Sequence, residues 1–276
     1  MRDSRFVILL GAVATGLLFF LQSCGSIAGP PVSVQLGPDS TGAKVMVVWT
    51  PPAEGVPDAY RVYFAPLAET ALQLVTETTA SFFVHDPYDT TGIYVVAAVF
   101  GEEEYRSPMP LTTMPVYTDT VTVVELDAAG NSGYGWDRIS GAGRTCPMLQ
   151  VSGADIADFY VTDFAIGSNR LPYATASPFK GPDDQAGLVP PSNEWRRNGI
   201  TDVLTNEQEP LPVWDSLHYF THTDITPVPA AIGVATEDGY FGLLRVTNVD
   251  PAAAEVRLVS WFQLVPGLRL LMHEAQ

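Results

Sequence analysis

The sequence predicts an all-β protein: one antiparallel sandwich followed by a second antiparallel, jelly-roll-like sandwich. Three observations predict it. Short runs of alternating apolar and polar residues recur along most of the chain, Pro and Gly (23 of each) punctuate them, and beyond the N-terminal stretch no segment has a 3.6-residue apolar period. With 276 residues, 46% of them apolar, the chain is long enough to bury a sizeable core in one or two domains.

The chain opens with two arginines in residues 1–5, followed by an uncharged run from Phe6 to Leu21. As a helix that run would reach roughly 24 Å, short of a ~30 Å hydrocarbon core, so it reads as an export signal and not a span. It closes on Leu21-Gln22-Ser23-Cys24, which resembles the lipobox of bacterial lipoproteins. The resemblance implies a signal peptide over residues 1–23, lipidation of Cys24 as the new N-terminus, and a membrane partner held through that lipid. Gly25, where an inner-membrane retention signal more often has aspartate, points the resemblance to the outer membrane, on its periplasmic or cell-surface side. With Cys24 acylated, Cys146 has no disulfide partner and is expected as a small buried hydrophobe.

After a linker over residues 24–30, the first sandwich is expected over residues 31–115. "KVMVVWT" places Val45, Val47 and Trp49 on one face by period two, and a Pro/Gly turn follows. "AYRVYFAP" groups Tyr60, Val62 and Phe64, with Arg61 and Tyr63 opposite, and "GIYVVAAVF" aligns Tyr94, Val96 and Ala98. Residues 31–115 resemble a fibronectin type III domain: V-x-V-x-W-T-P-P at 45–52, Y-R-V-Y at 60–63 and Y-V-V-A-A-V at 94–99. The resemblance implies that Trp49, Tyr60 and Tyr94 are core residues and that Tyr94 makes a tyrosine-corner hydrogen bond. The loop "GEEEYRS" lacks the Arg-Gly-Asp tripeptide of integrin-binding members, so adhesion does not follow.

Residues 116–276 are expected to form the second sandwich. "VTVVELD" reads as a strand, "AAGNSGYG" as a glycine-rich turn, and "PMLQVSG" and "ADFYVTDFAIG" as strands. Residues 167–210 are rich in Pro, Gly, Asp and Asn and form either a long functional loop or a cover for short strands. "AAIGVAT", "YFGLLRVTNV" and "EVRLVSWFQLV" read as three successive antiparallel strands. The last is apolar on both faces, with Val256, Leu258, Phe262 and Leu264 on one and Val259, Trp261 and Val265 on the other, so it belongs inside a sheet covered on both sides.

The net charge of −17 argues against a nucleic-acid partner and against charge-driven binding to anionic lipid. Chemistry-bearing residues are sparse. His218 and His222, flanked by Asp215 and Asp224, sit in a strand-like context where they stand roughly 13 Å apart, too far to share one metal ion. Asp155, Asp158 and Asp163, with Asp183 and Asp184, could supply the paired carboxyls of a glycosidase, which need a spacing of roughly 5–10 Å. "DAAGNSG" lacks the ligand spacing of an EF-hand, and no nucleophile elbow, P-loop or dinucleotide fingerprint is present.

The aromatics Tyr134, Trp136, Trp195, Trp214 and Tyr219 remain. Trp136 and Trp195 lie in or beside glycine- and proline-rich loops, where exposure would let them stack on a sugar. Trp195 adjoins Arg196 and Arg197, a rare basic pair in an acidic chain. The expected site is therefore Trp195, Arg196, Arg197 and Trp136, with a glycan or another envelope protein as partner and no metal or cofactor. "YGWDRIS" and "EDGYFGLLRVTNV…VRLVSWFQLVPG" also resemble the HmuY-type haem-binding lipoproteins, although no histidine maps onto a ligand position and Phe241, Gly242 and Leu243 depart from the family's hairpin. That likeness implies a lipid-anchored, outward-facing β domain. A non-enzymatic binding or structural lipoprotein is thus the leading expectation, with an envelope-polysaccharide hydrolase and a haem binder as alternatives.

Overall fold

The computed structural model describes residues 28–69, 71–164, 173–179, 188–205 and 210–271. Cys24 and the apolar run before it, together with Asp183 and Asp184, lie outside the described residues. The fold is all-β, with every strand pairing antiparallel and four sheets packed as two sandwiches.

Eight strands build the first sandwich: β1 (Val32–Pro38), β2 (Val45–Thr50), β3 (Ala59–Pro66), β4 (Gln73–Thr78), β5 (Phe82–His85), β6 (Gly92–Phe100), β7 (Glu103–Arg106) and β8 (Leu111–Thr112). One sheet has the order β1-β2-β5 and the other β4-β3-β6-β7, with β8 pairing β6. Period-two alternation puts Val45, Val47 and Trp49 of the first sheet against Tyr60, Val62, Phe64, Tyr94, Val96 and Ala98 of the second, as expected. The Trp49 and Tyr60 rings lie 5.3 Å apart. Tyr94 departs from the tyrosine-corner expectation. Its hydroxyl meets the Nδ1 of His85 at 2.8 Å, because β5 brings an imidazole into the place where a backbone acceptor was expected.

The second sandwich comprises β9 (Val116–Val124), β10 (Gly133–Trp136), β11 (Gly143–Cys146), β12 (Phe159–Thr162), β13 (Ala174–Ala176), β14 (Gly199–Thr201), β15 (Tyr219–Phe220), β16 (His222–Asp224), β17 (Ala230–Ala235), β18 (Phe241–Asp250) and β19 (Glu255–Phe262). A five-stranded sheet, β11-β10-β12-β13-β16, faces a six-stranded sheet, β15-β14-β17-β18-β19-β9. Their shared core holds Tyr134, Trp136, Phe159, Ile232, Leu244 and Phe262 among others. The three strands expected at the end are β17, β18 and β19. β19 is internal, with Val256, Leu258 and Phe262 in the shared core and Val259 and Trp261 in a second cluster on the sheet's other face. Leu211, Tyr219 and Leu271 cover that other face.

Two local expectations are corrected. The glycine-rich stretch ends in a strand, β10, because its glycines alternate with Tyr134 and Trp136. The rings enter the core while the glycine positions let backbone approach: a Cβ on Gly135 would sit 1.7 Å from the Ile156 carbonyl oxygen. "PMLQVSG" is not a strand but contains a 3₁₀ turn, Val151–Gly153, whose neighbours Met148, Ala154 and Ala157 cover the outer face of the five-stranded sheet. The irregular stretch 167–210 does hide short strands, β13 and β14.

Beyond β19 the chain returns to the first sandwich. Leu268 and Leu270 join the core of Val45, Trp49 and Tyr94, and Val265, expected on a face of β19, packs there too. The Arg269 backbone N–H donates to the Gly42 carbonyl at 2.8 Å, and its Nε donates to the Thr41 carbonyl at 2.9 Å. Gly42 suits this turn on two counts. Its φ is +74°, and a Cβ there would meet the Gly267 carbonyl oxygen at 2.6 Å. The Gln263 side chain, fully buried, donates at 2.8 Å to the Thr113 and Leu270 carbonyls and so fixes the tail against the junction of the two sandwiches.

Candidate functional site

Arg196, beside Trp195, meets an acid 38 residues away. Asp158, just before β12 and fully buried, accepts from Arg138 at 2.8 Å on each carboxylate oxygen and from the Arg196 Nη1 at 2.9 Å. The Trp136 backbone N–H (3.0 Å) and the Asn198 side-chain amide (3.1 Å) complete its shell. Arg138 also grips Asp238, at 2.7 and 3.1 Å, and lies over the Phe262 ring at 5.2 Å. Burial alone would lower the Arg138 guanidinium, but the two carboxylates outweigh it and raise it above its ordinary value. Burial likewise pushes the Asp238 carboxyl up, and Arg138 with Thr236 outweighs that and holds it below. Two cations and two anions thus cross-link the β10 turn, the segment before β12, the 195–198 segment and the β17–β18 turn.

The expected site residues separate into two groups. Trp136 and Trp195 are each only 2% exposed, which corrects the expectation of open aromatic faces. Trp136 is stacked on Phe262 at 5.1 Å and donates from Nε1 to the Ser260 hydroxyl at 3.0 Å, because the alternation of β10 points it inward. Trp195 packs with Met148 and Tyr160, and its Nε1 donates to the Pro190 carbonyl at 2.7 Å. Arg196 is also committed inward, to Asp158 and to the Asp155 and Ile156 carbonyls. Arg197 alone faces outward. Its backbone N–H binds Glu237 at 2.9 Å, and its guanidinium stacks 4.1 Å above the ring of Phe179, a residue that the sequence did not single out.

Phe179 is 45% exposed and lines, with Pro191, Ser192, Asn193 and an edge of Trp195, a hollow of about 280 Å³. The hollow joins an accessible aromatic ring, an amide and a hydroxyl, with an adjacent cation. Trp195 borders it while itself only 2% exposed. The signal for Phe179 was present in the sequence only as one more aromatic in a proline-rich stretch.

A second concavity, of about 630 Å³, opens at the end of β16 and includes Asp202, His222, Asp224, Pro227 and Pro229. His222 lies on β16, as the strand reading had it, and its ring meets Phe164 edge-on at 5.0 Å. His218 does not share that strand. It sits in the preceding turn with Nδ1 2.7 Å from Asp215, because Asp215 gathers the 217–218 backbone N–H groups into a turn. Asp158 and Asp163 flank β12 on either side, so they stand roughly 16 Å apart along the strand and do not form one carboxyl pair. Tyr134 and Tyr219 are buried, and Trp214 is 42% exposed. Cys146 is buried and free, its thiol pushed up to about 12 by burial.

Glu125, 1% exposed, was not singled out by the sequence. Burial and the neighbouring Asp127 carboxyl push it up to about 7 against the pull of the Asp127 and Asp163 backbone N–H groups. The native state therefore holds this proton more tightly than the unfolded chain, whose glutamate titrates near 4.5. Stability from this group is fullest below that value and falls as pH rises towards 7, by about 3 kcal/mol. Urea midpoints at pH 5 and pH 7.5 should differ less in Glu125→Gln than in wild type. Equal differences in the two proteins would remove Glu125 as the cause.

No family model matches the chain, and no curated protein matches it. Among solved structures, one described as "Crystal Structure of FN3tt" is similar to 30% of this chain over 91% of its own length, at 12% identity and a TM-score of 0.24.

Proposed function

We propose that the chain is an exported outer-membrane lipoprotein, anchored through Cys24, whose fibronectin type III-like sandwich spaces a second, non-enzymatic binding sandwich from the membrane. The observation that carries the binding part is the Phe179–Arg197 stack beside the hollow. An exposed ring, an amide and a guanidinium in one place suit a sugar ring with hydroxyl or acidic substituents. The ligand class is an envelope glycan.

Two experiments test the reading. Metabolic labelling with a fatty-acid analogue should mark wild type and not Cys24→Ser; label that persists in the variant, or no label in wild type, overturns the anchor. In a screen of envelope polysaccharides, Phe179→Ala/Arg197→Ala should bind the wild-type ligand at least about tenfold more weakly, roughly 1.4 kcal/mol, with an unchanged unfolding midpoint. Both side chains are exposed, so folding should not be affected, and a folded double variant that binds as wild type does would clear the hollow of this role.

A second reading, a hydrolase acting on envelope polysaccharide, is favoured by one observation: Asp202 and Asp224 line the same groove. Release of reducing ends from an envelope fraction, lost in Asp202→Asn or Asp224→Asn, would select it over the first.

A further inference from the structure

The two outer faces of the first sandwich differ in kind. On the β4-β3-β6-β7 side, Arg61 pairs with Glu77 at 2.7 Å and Glu104 at 3.4 Å, and Arg106 pairs with Glu104 at 2.9 Å. On the β1-β2-β5 side the outward rows carry charge only at one end, where Lys44 and Asp86 pair at 3.0 Å. Register places Met46 directly against Val84 and Val48 against Phe82, while Gly37 and Gln35 continue the two rows onto β1. Val48 is 37% exposed, Phe82 55% and Val84 40%, and Val32, paired with Thr50 at the next row, is 41% exposed. Alternation explains the geometry, since Val45, Val47, Phe83 and His85 point inward and leave their neighbours outside. It does not explain why the neighbours are apolar, because an antiparallel sheet with a wetted face ordinarily alternates apolar with polar.

We infer that this face rests on the phospholipid surface beside the anchor. The inference builds on the lipid-anchored reading above. β1 begins at Val32, eight residues after Cys24, and eight extended residues span at most about 29 Å. The sheet nearest the anchor in sequence is thus the one with the more apolar face. The chain as a whole carries a net charge of −17 and is repelled by anionic headgroups, and this face adds no net charge to that, its one ion pair, Lys44–Asp86, being balanced. Four apolar side chains bind a membrane weakly by themselves. A short tether makes the contact intramolecular, so weak burial at the headgroup boundary suffices to hold the orientation. The occupant is therefore a lipid surface, and the sandwich lies on it by its β1-β2-β5 face.

The test uses full-length acylated protein on phosphatidylcholine vesicles, with an environment-sensitive fluorophore at Phe82→Cys or, on the opposite sheet, at Gln73→Cys. The buried Cys146 stays unlabelled. The expected result is that protein floats with the vesicles and that iodide quenching falls roughly threefold or more at position 82 while position 73 is unchanged. Flotation with equal quenching at both positions overturns the docked face and leaves the anchor standing. Failure to float overturns the anchor, and the docking with it. Shielding of position 82 without vesicles, growing with protein concentration, assigns the face to a second copy and also overturns the proposal.

Discussion

Asp158→Ala should lower stability by about 3–5 kcal/mol, the range for removing one partner from a buried ion network. The substitution leaves two guanidiniums, on Arg138 and Arg196, whose side chains are only 17% and 18% exposed, without the carboxylate they converge on. It also strands the Trp136 backbone N–H and one of the Asn198 contacts. Asp158→Asn keeps the shape but halves the charge complementarity, and its loss should be intermediate. Denaturant midpoints measure both. If Asp158→Ala unfolds within about 1 kcal/mol of wild type, the network does not hold the 195–198 segment in place.

Trp136→Ala follows with a loss of about 3–5 kcal/mol, from lost burial together with an unfilled cavity. The ring is stacked on Phe262, meets Tyr134 edge-on at 5.6 Å and reaches over Gly242 of β18. Its Nε1 shares the Ser260 hydroxyl with Tyr134, whose own oxygen lies 2.7 Å from it. Trp136→Phe retains most of the packing and leaves Ser260 bonded to Tyr134, so it should cost clearly less. An alanine variant with a wild-type midpoint would show that the core closes without the indole. The two sites touch through the Trp136 backbone, so Asp158→Ala/Trp136→Ala should depart from the sum of the single losses.

Strands with clean alternation were legible in the sequence because burial alone dictates it. Val45, Val47 and Trp49, then Tyr60 to Phe64, then Val256 to Phe262 all face where period two puts them. β10 was not legible, since Gly133 and Gly135 carry the local signature of a turn and only the non-local approach of the 156–158 backbone makes them strand residues. β13 and β14 are three residues long, too short for any period to register. Of the candidate site residues, sequence placed Trp195 beside the hollow but misjudged its exposure. Proline-rich composition located the loop, but exposure of Trp195 depends on a hydrogen bond to Pro190 and a bed of Met148 and Tyr160. Arg196 and Arg197 look equivalent in sequence. Asp158, 38 residues from Arg196, distinguishes them, as no local pattern could.

The return of Leu268 and Leu270 into the first core has a consequence for the order of assembly. Ribosomes deliver a chain from its start, yet the hydrophobic centre around Trp49 and Tyr94 lacks two of its leucines until some 170 residues after Ala98 have emerged. At typical synthesis rates of 5–20 residues per second, that is a wait of roughly ten to thirty seconds. During it, the core of the first sandwich stays without two of its leucines. The Arg269 contact with Thr41, spanning 228 positions, then closes a loop over most of the chain. The sandwich made earliest is the one sealed last.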